Sequence, residues 1–234
     1  MTPEARESSE RLVLRIGAVS SVVGVGVLFV AEAFHGGHDP GNLSATLPVY
    51  AANRIWELVH IAQFLGYLLL LLGLLAVYRS MHDGRSGTIA RIGFVTAVVA
   101  TAIFGVNQAV DGVAVRFVAD QWVSAPTPQK AETFRIANAV RHVEIGTTSF
   151  SQLTFGLALL LNGLALALAR SYPRLLGWAG MVLGGVYVAA GVLVAHNGFT
   201  VVGFTAMAGI GLAFWFLFLG FILWRKADSS TGDH

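Results

Sequence analysis

The sequence predicts an all-α polytopic membrane bundle of six transmembrane helices, with both termini cytoplasmic and a fourth helix extending out of the bilayer. Three observations predict it. Of 234 residues, 55% are hydrophobic and only 12% charged, too apolar for an ordinary soluble domain. Long apolar runs recur between short groups of Gly, Pro and basic residues. The basic residues are also distributed unequally between alternate loops. The formal net charge is only +2, so these groups read as topology and not as a nucleic-acid surface. With no cysteine, disulfides, thiolate metal sites and cysteine nucleophiles are all excluded.

One membrane domain is expected over residues 1–234, after a disordered polar tail at 1–10. The N-terminal segment lacks a small-residue cleavage pattern, so the run at about 12–34 reads as the first span rather than a signal peptide. At about 1.5 Å per residue it crosses a hydrocarbon core of roughly 30 Å. Gly36, Gly37 and Pro40 stop it, and a loop is expected to about Ala52. The second span is expected at about 54–78. A turn containing Gly and Ser, flanked by Arg79, Arg85 and Arg91, leads to the third at about 88–113. Asp120 to Lys130 reads as a loop, with Thr127 as N-cap and Pro128 at the first helical position. From there to Ala169 nothing breaks a helix. It must project from the bilayer or bend near Gly146, with its spanning part at about 146–169. Ser171-Tyr172-Pro173 separates it from a fifth span at about 175–195. His196-Asn197-Gly198 precedes the sixth at about 200–224.

With the N-terminus cytoplasmic, ten of the fifteen Lys and Arg residues fall inside, leaving Arg54, Arg116, Lys130, Arg135 and Arg141 outside. The expected location is a bacterial-type cytoplasmic membrane. In that orientation His35, His38, His60, His142 and His196 all lie at outer helix ends, with Glu32, Glu57, Asn107, Asp111 and Glu144 in the same layer. Ionisable groups at membrane depth are costly and mark function.

The centre of this layer is Asn53 to His60, where Asn53, Glu57 and His60 are placed three and four residues apart on one helical face. Glu57-x-x-His60 and Glu32-x-x-His35 share a spacing found in bundle metal sites. Asp111 and His142, with His35 or His38, complete a candidate ligand set. Zinc or iron suits these donors. Copper(I) prefers sulfur, and the methionines do not cluster. A haem would take His60 and His142 as axial ligands. Glu144 is left out because Arg141, three residues away, is its expected partner. The alternative for the whole layer is a hydrogen-bonded interhelical network, with Asp111 paired to Arg135 or Arg141. His196 reads as an exposed turn residue.

Gly24 and Gly26 on the first span and Gly177, Gly180, Gly184 and Gly185 on the fifth are expected to permit close helix approach. Trp56, Trp122, Trp178 and Trp224 fall near the expected interfaces. The passage Ser171-Tyr172-Pro173-Arg174-Leu175-Leu176-Gly177-Trp178-Ala179-Gly180, with Val186 to Gly191, Ile55-Trp56-Glu57-Leu58 and Val110-Asp111-Gly112, resembles the bacterial DUF4386 family of six-helix membrane proteins. The resemblance implies the six-span fold and a role for Glu57 and Asp111, and carries no activity with it. His60 and His142 lie outside the family's pattern and suggest a site of this chain's own.

The functional expectation is an outward-facing site that binds a metal or haem and acts as an oxidoreductase or hydrolase on a lipophilic small molecule from the lipid bilayer. Two alternatives stand beside it. Glu57 or Asp111 acts as a metal-independent general acid on a lipid or isoprenoid, or the cluster serves a proton- or cation-coupled carrier or sensor.

Overall fold

A computed structural model describes residues 3–36, 40–81 and 84–229, with side chains described from residue 7 and outside 201–206. Among these residues there is no strand. The elements are α1 (Pro3–His35), α2 (Leu43–Ala52), α3 (Trp56–Arg79), α4 (Gly84–Ala109), α5 (Arg116–Ser124), α6 (Lys130–Leu168), α7 (Arg174–Asn197) and α8 (Val202–Ser229). A π-helical turn, Val110–Val115, joins α4 to α5 without a break, and a 3-10 turn, Thr127–Gln129, leads into α6. Six helical segments are long and apolar enough to cross a membrane: Glu7–His35, Trp56–Arg79, Gly84–Ser124, Thr127–Leu168, Arg174–Thr200 and Met207–Ser229.

Three boundaries differ from the expectation. The loop after α1 contains α2, whose Asn42 side chain caps the helix by accepting from the Ala45 N–H at 3.3 Å. The third span runs on through Asp120 to Ser124, because residues 116–124 are amphipathic and bury Val118 and Ala119 against α2. Thr127 makes no capping bond. Pro126 holds the extended backbone ahead of the 3-10 turn instead.

The six long segments pack in a closed order. α1 lies against α3 and α8, α3 against α4, α4 against α6, α6 against α7, and α7 against α8. One end of the bundle is filled by apolar side chains such as Leu74, Leu159, Leu166, Phe216 and Leu219, all but fully buried. At the other end α2 forms a cap. Its Leu47 and Tyr50 join Trp56, Val115, Val118 and Ala137 in a second, smaller core.

The α6–α7 contact is backbone to backbone. A Cβ at Gly163 would stand 2.6 Å from the Met181 nitrogen, and one at Gly184 2.6 Å from that of Leu160. Gly24, Gly177 and Gly180 likewise sit at helix contacts, whereas a Cβ at Gly26 or Gly185 would meet nothing within 4 Å among the described residues, so the expected close approach is not made there. Trp56 is a further correction. It is fully buried, because α2 covers the start of α3, and it is not a surface-belt residue.

Near the opposite end, the Tyr172 hydroxyl is 2.6 Å from Ser80 Oγ and ties the end of α3 to the α6–α7 turn. Burial pushes the Tyr172 phenol up to about 12.

Candidate functional site

The site is assembled where the end of α1, the start of α3 and the π turn meet. His60 projects inward one turn into α3 and is 1% exposed. Its Nδ1 lies 2.7 Å from the Trp56 carbonyl oxygen. A carbonyl can only accept, so Nδ1 carries a proton and Nε2 is the atom turned toward the π turn. That atom stands 3.1 Å from Asp111 Oδ2.

The approach is close, but it does not have hydrogen-bond geometry. His60 Nε2 and Asp111 Oδ1 are buried atoms with no hydrogen-bond partner among the described residues. The distance establishes the pairing, and the missing bond shows that the ring N–H direction does not run along it.

The π turn sets the aim of Asp111. An extra residue in the helical turn shifts side-chain directions relative to an α-helix, and such turns recur at functional sites. Gly112 lets α3 come close, since a Cβ there would stand 2.6 Å from His60 Cβ. The Trp56 indole Nε1 donates to the Asp111 backbone oxygen at 3.0 Å. Trp56 therefore holds both segments, the one carrying His60 through its carbonyl and the one carrying Asp111 through its ring.

His35, the last residue of α1, completes the group. Its ring centroid is 4.7 Å from that of Trp56 and 5.2 Å from that of His60. One ligand atom each from His35, His60 and Asp111 lies within 4.8 Å of the others. Asn53 secures α1 there by donating from Nδ2 to the Phe34 carbonyl at 3.2 Å.

No family model, curated protein or solved structure matches the chain. The geometry is therefore the ground for any functional reading.

Of the residues expected at the site, His35, His60 and Asp111 come together. His38 lies outside the described residues. Glu57 is exposed and is not part of the three-residue group. α3 begins at Trp56 and turns the Trp56–His60 edge inward, so a carboxylate 60° around the helix from His60 stays on the surface. His142 is also exposed, with Nδ1 2.7 Å from the Asn138 carbonyl, so it does not face His60 as a second axial ligand would. Glu32 is exposed and accepts from Gln63 Nε2 at 3.3 Å. His196 is exposed as expected, though within the last turn of α7.

Arg141 and Glu144 form the expected buried pair, with Nη1 donating to both carboxylate oxygens at 2.6 and 2.7 Å. Arg141 Nη2 also donates to the Pro40 carbonyl at 3.1 Å and to Tyr50 Oη at 3.0 Å, which latches α2 over the site. Burial raises the Tyr50 hydroxyl far above its ordinary pKa, so it stays neutral there. Arg116 holds the other end of α2 through the Tyr50 carbonyl at 2.9 Å and the Asn53 carbonyl. Asn107 is part of the α4–α6 contact, where its Oδ1 accepts from Thr147 at 2.7 Å and from Thr148 at 2.8 Å.

The residues missed by the sequence reading are Trp56 and Gly112. Trp56 occupies the position four before His60, and Gly112 follows Asp111 directly. Both spacings were visible, but neither carries an ionisable group.

Proposed function

We propose that the chain is a multi-pass membrane protein that binds a first-row divalent cation, zinc or iron, through His35, His60 and Asp111, and that the bound ion serves hydrolytic or redox chemistry on a lipophilic substrate. One observation carries this reading: His60 Nε2 and Asp111 Oδ2, both electron-pair donors, face each other at 3.1 Å without a hydrogen bond between them. Two such atoms repel unless a cation lies between them. In a tetrahedral site with metal–ligand distances of about 2.0–2.2 Å, neighbouring ligand atoms stand roughly 3.3 Å apart. His35 supplies a third donor within side-chain reach.

Two imidazoles and one carboxylate, with positions left open, suit non-haem iron or catalytic zinc. Such an ion would polarise a substrate oxygen or activate a bound water. The chain's own contribution is to fix the ligands: the Trp56 carbonyl holds the His60 tautomer, and its indole N–H holds the backbone of Asp111. α2, latched by Arg141 and Arg116, shields the site from water on one side. Haem draws less support, since its second axial histidine, His142, is turned away.

The basic-residue distribution supports cytoplasmic termini and a site near the extracytoplasmic face of a bacterial-type cytoplasmic membrane. Likeness to the DUF4386 family belongs to the same proposal, with Asp111 as the shared position. The buried imidazole beside a carboxylate also supports a second reading, in which the pair takes up a proton in a proton- or cation-coupled carrier or sensor.

Cobalt(II) titration of the detergent-solubilised protein separates them. The metal reading expects a visible ligand-field band that saturates near one equivalent and is lost in His60→Ala and Asp111→Asn. Wild-type protein that develops no band would overturn it.

A further inference from the structure

At the end of the bundle away from His60 and Asp111, one buried phenol gathers basic residues from three parts of the chain. The Tyr172 hydroxyl lies 2.6 Å from Ser80 Oγ, and Lys226 Nζ sits 4.9 Å from the centre of the Tyr172 ring, so the end of α3, the α6–α7 turn and the end of α8 meet at this residue. Arg79 immediately precedes Ser80, and Arg170 and Arg174 stand two positions either side of Tyr172. All three arginines are exposed. Among the described residues none of them has an acidic partner: Glu7 is paired with Arg11 and Asp228 with Arg15. Asp83, four positions after Arg79, lies outside the described residues.

Membrane sidedness asks for basic residues at one end of a bundle, but not for their gathering about one ring. A guanidinium at a bilayer surface attracts phosphate, which it can hold through two parallel N–H bonds. The neighbouring apolar residues point to what carries that phosphate. Arg174 opens α7 and with it one of the six apolar segments. Trp178 follows one turn on along the same face, and Leu175 and Trp178 are 76% and 58% exposed. A lipid whose phosphate meets Arg170 and Arg174 therefore has exposed apolar side chains for its own chains to lie along. A free phosphate would make no use of them. A zwitterionic headgroup brings its own cation, which three arginines repel, so a net negative headgroup is favoured.

We propose that the surface around Tyr172 binds the headgroup of an anionic phospholipid, with Arg170 and Arg174 on its phosphate, Arg79 adding positive charge from the end of α3, and the acyl chains against Leu175 and Trp178. This goes beyond the metal reading and does not depend on it.

The test is native mass spectrometry of the full-length protein in detergent, titrated with dioleoyl phosphatidylglycerol or with dioleoyl phosphatidylcholine, which has the same chains. The expected result is that phosphatidylglycerol binds about tenfold more tightly to wild type. That preference is lost in Arg170→Gln/Arg174→Gln and kept in Arg54→Gln/Arg135→Gln, which removes the same charge at the opposite end. Equal binding of the two lipids to wild type needs no variant and overturns the proposal. So does a preference that survives in Arg170→Gln/Arg174→Gln, or one that Arg54→Gln/Arg135→Gln loses to the same extent, since net charge would then account for it. Displacement of phosphatidylglycerol by an equal concentration of inorganic phosphate would put a free anion in the site and overturn the lipid assignment.

Discussion

His60 Nε2 and Asp111 Oδ2, fifty-one positions apart in the chain, stand 3.1 Å apart in the bundle, and a single residue, Trp56, fastens the segments that carry them. In the proposed metal site these two would be ligands and Trp56 their outer support. Histidine ligands to metals almost always donate their other ring N–H to a carbonyl or carboxylate, as His60 does to Trp56.

Trp56→Phe keeps an aromatic ring against His35 and His60 and removes the indole N–H. Metal affinity is expected to fall about 10- to 100-fold, the usual effect of losing outer support. A titration with a competing chelator measures it. Unchanged affinity would mean that the π turn holds Asp111 without help.

Glu57→Gln and His142→Ala are expected to leave metal content at the wild-type level, because both side chains are on exposed faces away from the three-residue group. Elemental analysis of the two variants checks this directly. Loss of metal in either would restore the ligand set read from the sequence.

The limits of that reading are physical. Six apolar spans, the long α6 and the Arg141–Glu144 pair follow from hydropathy, helix length and i, i+3 spacing, and all three are legible without coordinates. The pairing of His60 with Asp111 was within reach because both sit at the same depth of adjacent spans. Choosing Glu57 as their companion failed for a finer reason. Residues three apart on a helix diverge by about 60°, enough to put one side chain in the interior and the other on the surface. The rotation of α3 is set by Trp56 and by the α2 cap above it. A short apolar helix in a Gly- and Pro-bounded loop gives little periodic signal. Nor does a π turn announce itself in Val110-Asp111-Gly112.

Arg141→Met should be severe, because it leaves the Glu144 carboxylate buried without its partner and unlatches α2. A loss of about 3–5 kcal/mol is expected for breaking such a pair from one side. The double variant Arg141→Met/Glu144→Leu should recover part of it. Chemical denaturation in detergent reads both, and a double variant worse than the single one would contradict the account.

Alkaline stability offers a test at the far end of the bundle. The folded protein holds Tyr172 neutral up to about 12, while the unfolded phenol ionises near 10, so wild type loses stability as pH rises from 10 toward 12. Tyr172→Phe also loses the Ser80 contact, worth about 1 kcal/mol, but has no such ionisation. The gap between the two proteins should therefore narrow above pH 10, by at most about 1.4 kcal/mol per pH unit. A constant gap would mean that the phenol ionises freely in the fold.

Metal content bears on the central claim most directly. Protein extracted from membranes and purified without chelators, beside His60→Ala and Asp111→Asn, is analysed by elemental emission before and after incubation with zinc or ferrous iron and dialysis. The expected result is about one zinc or iron per wild-type chain and little or none in either variant. Wild-type protein that retains no metal after loading, or variants that retain as much as wild type, would contradict a metal centre at His35, His60 and Asp111.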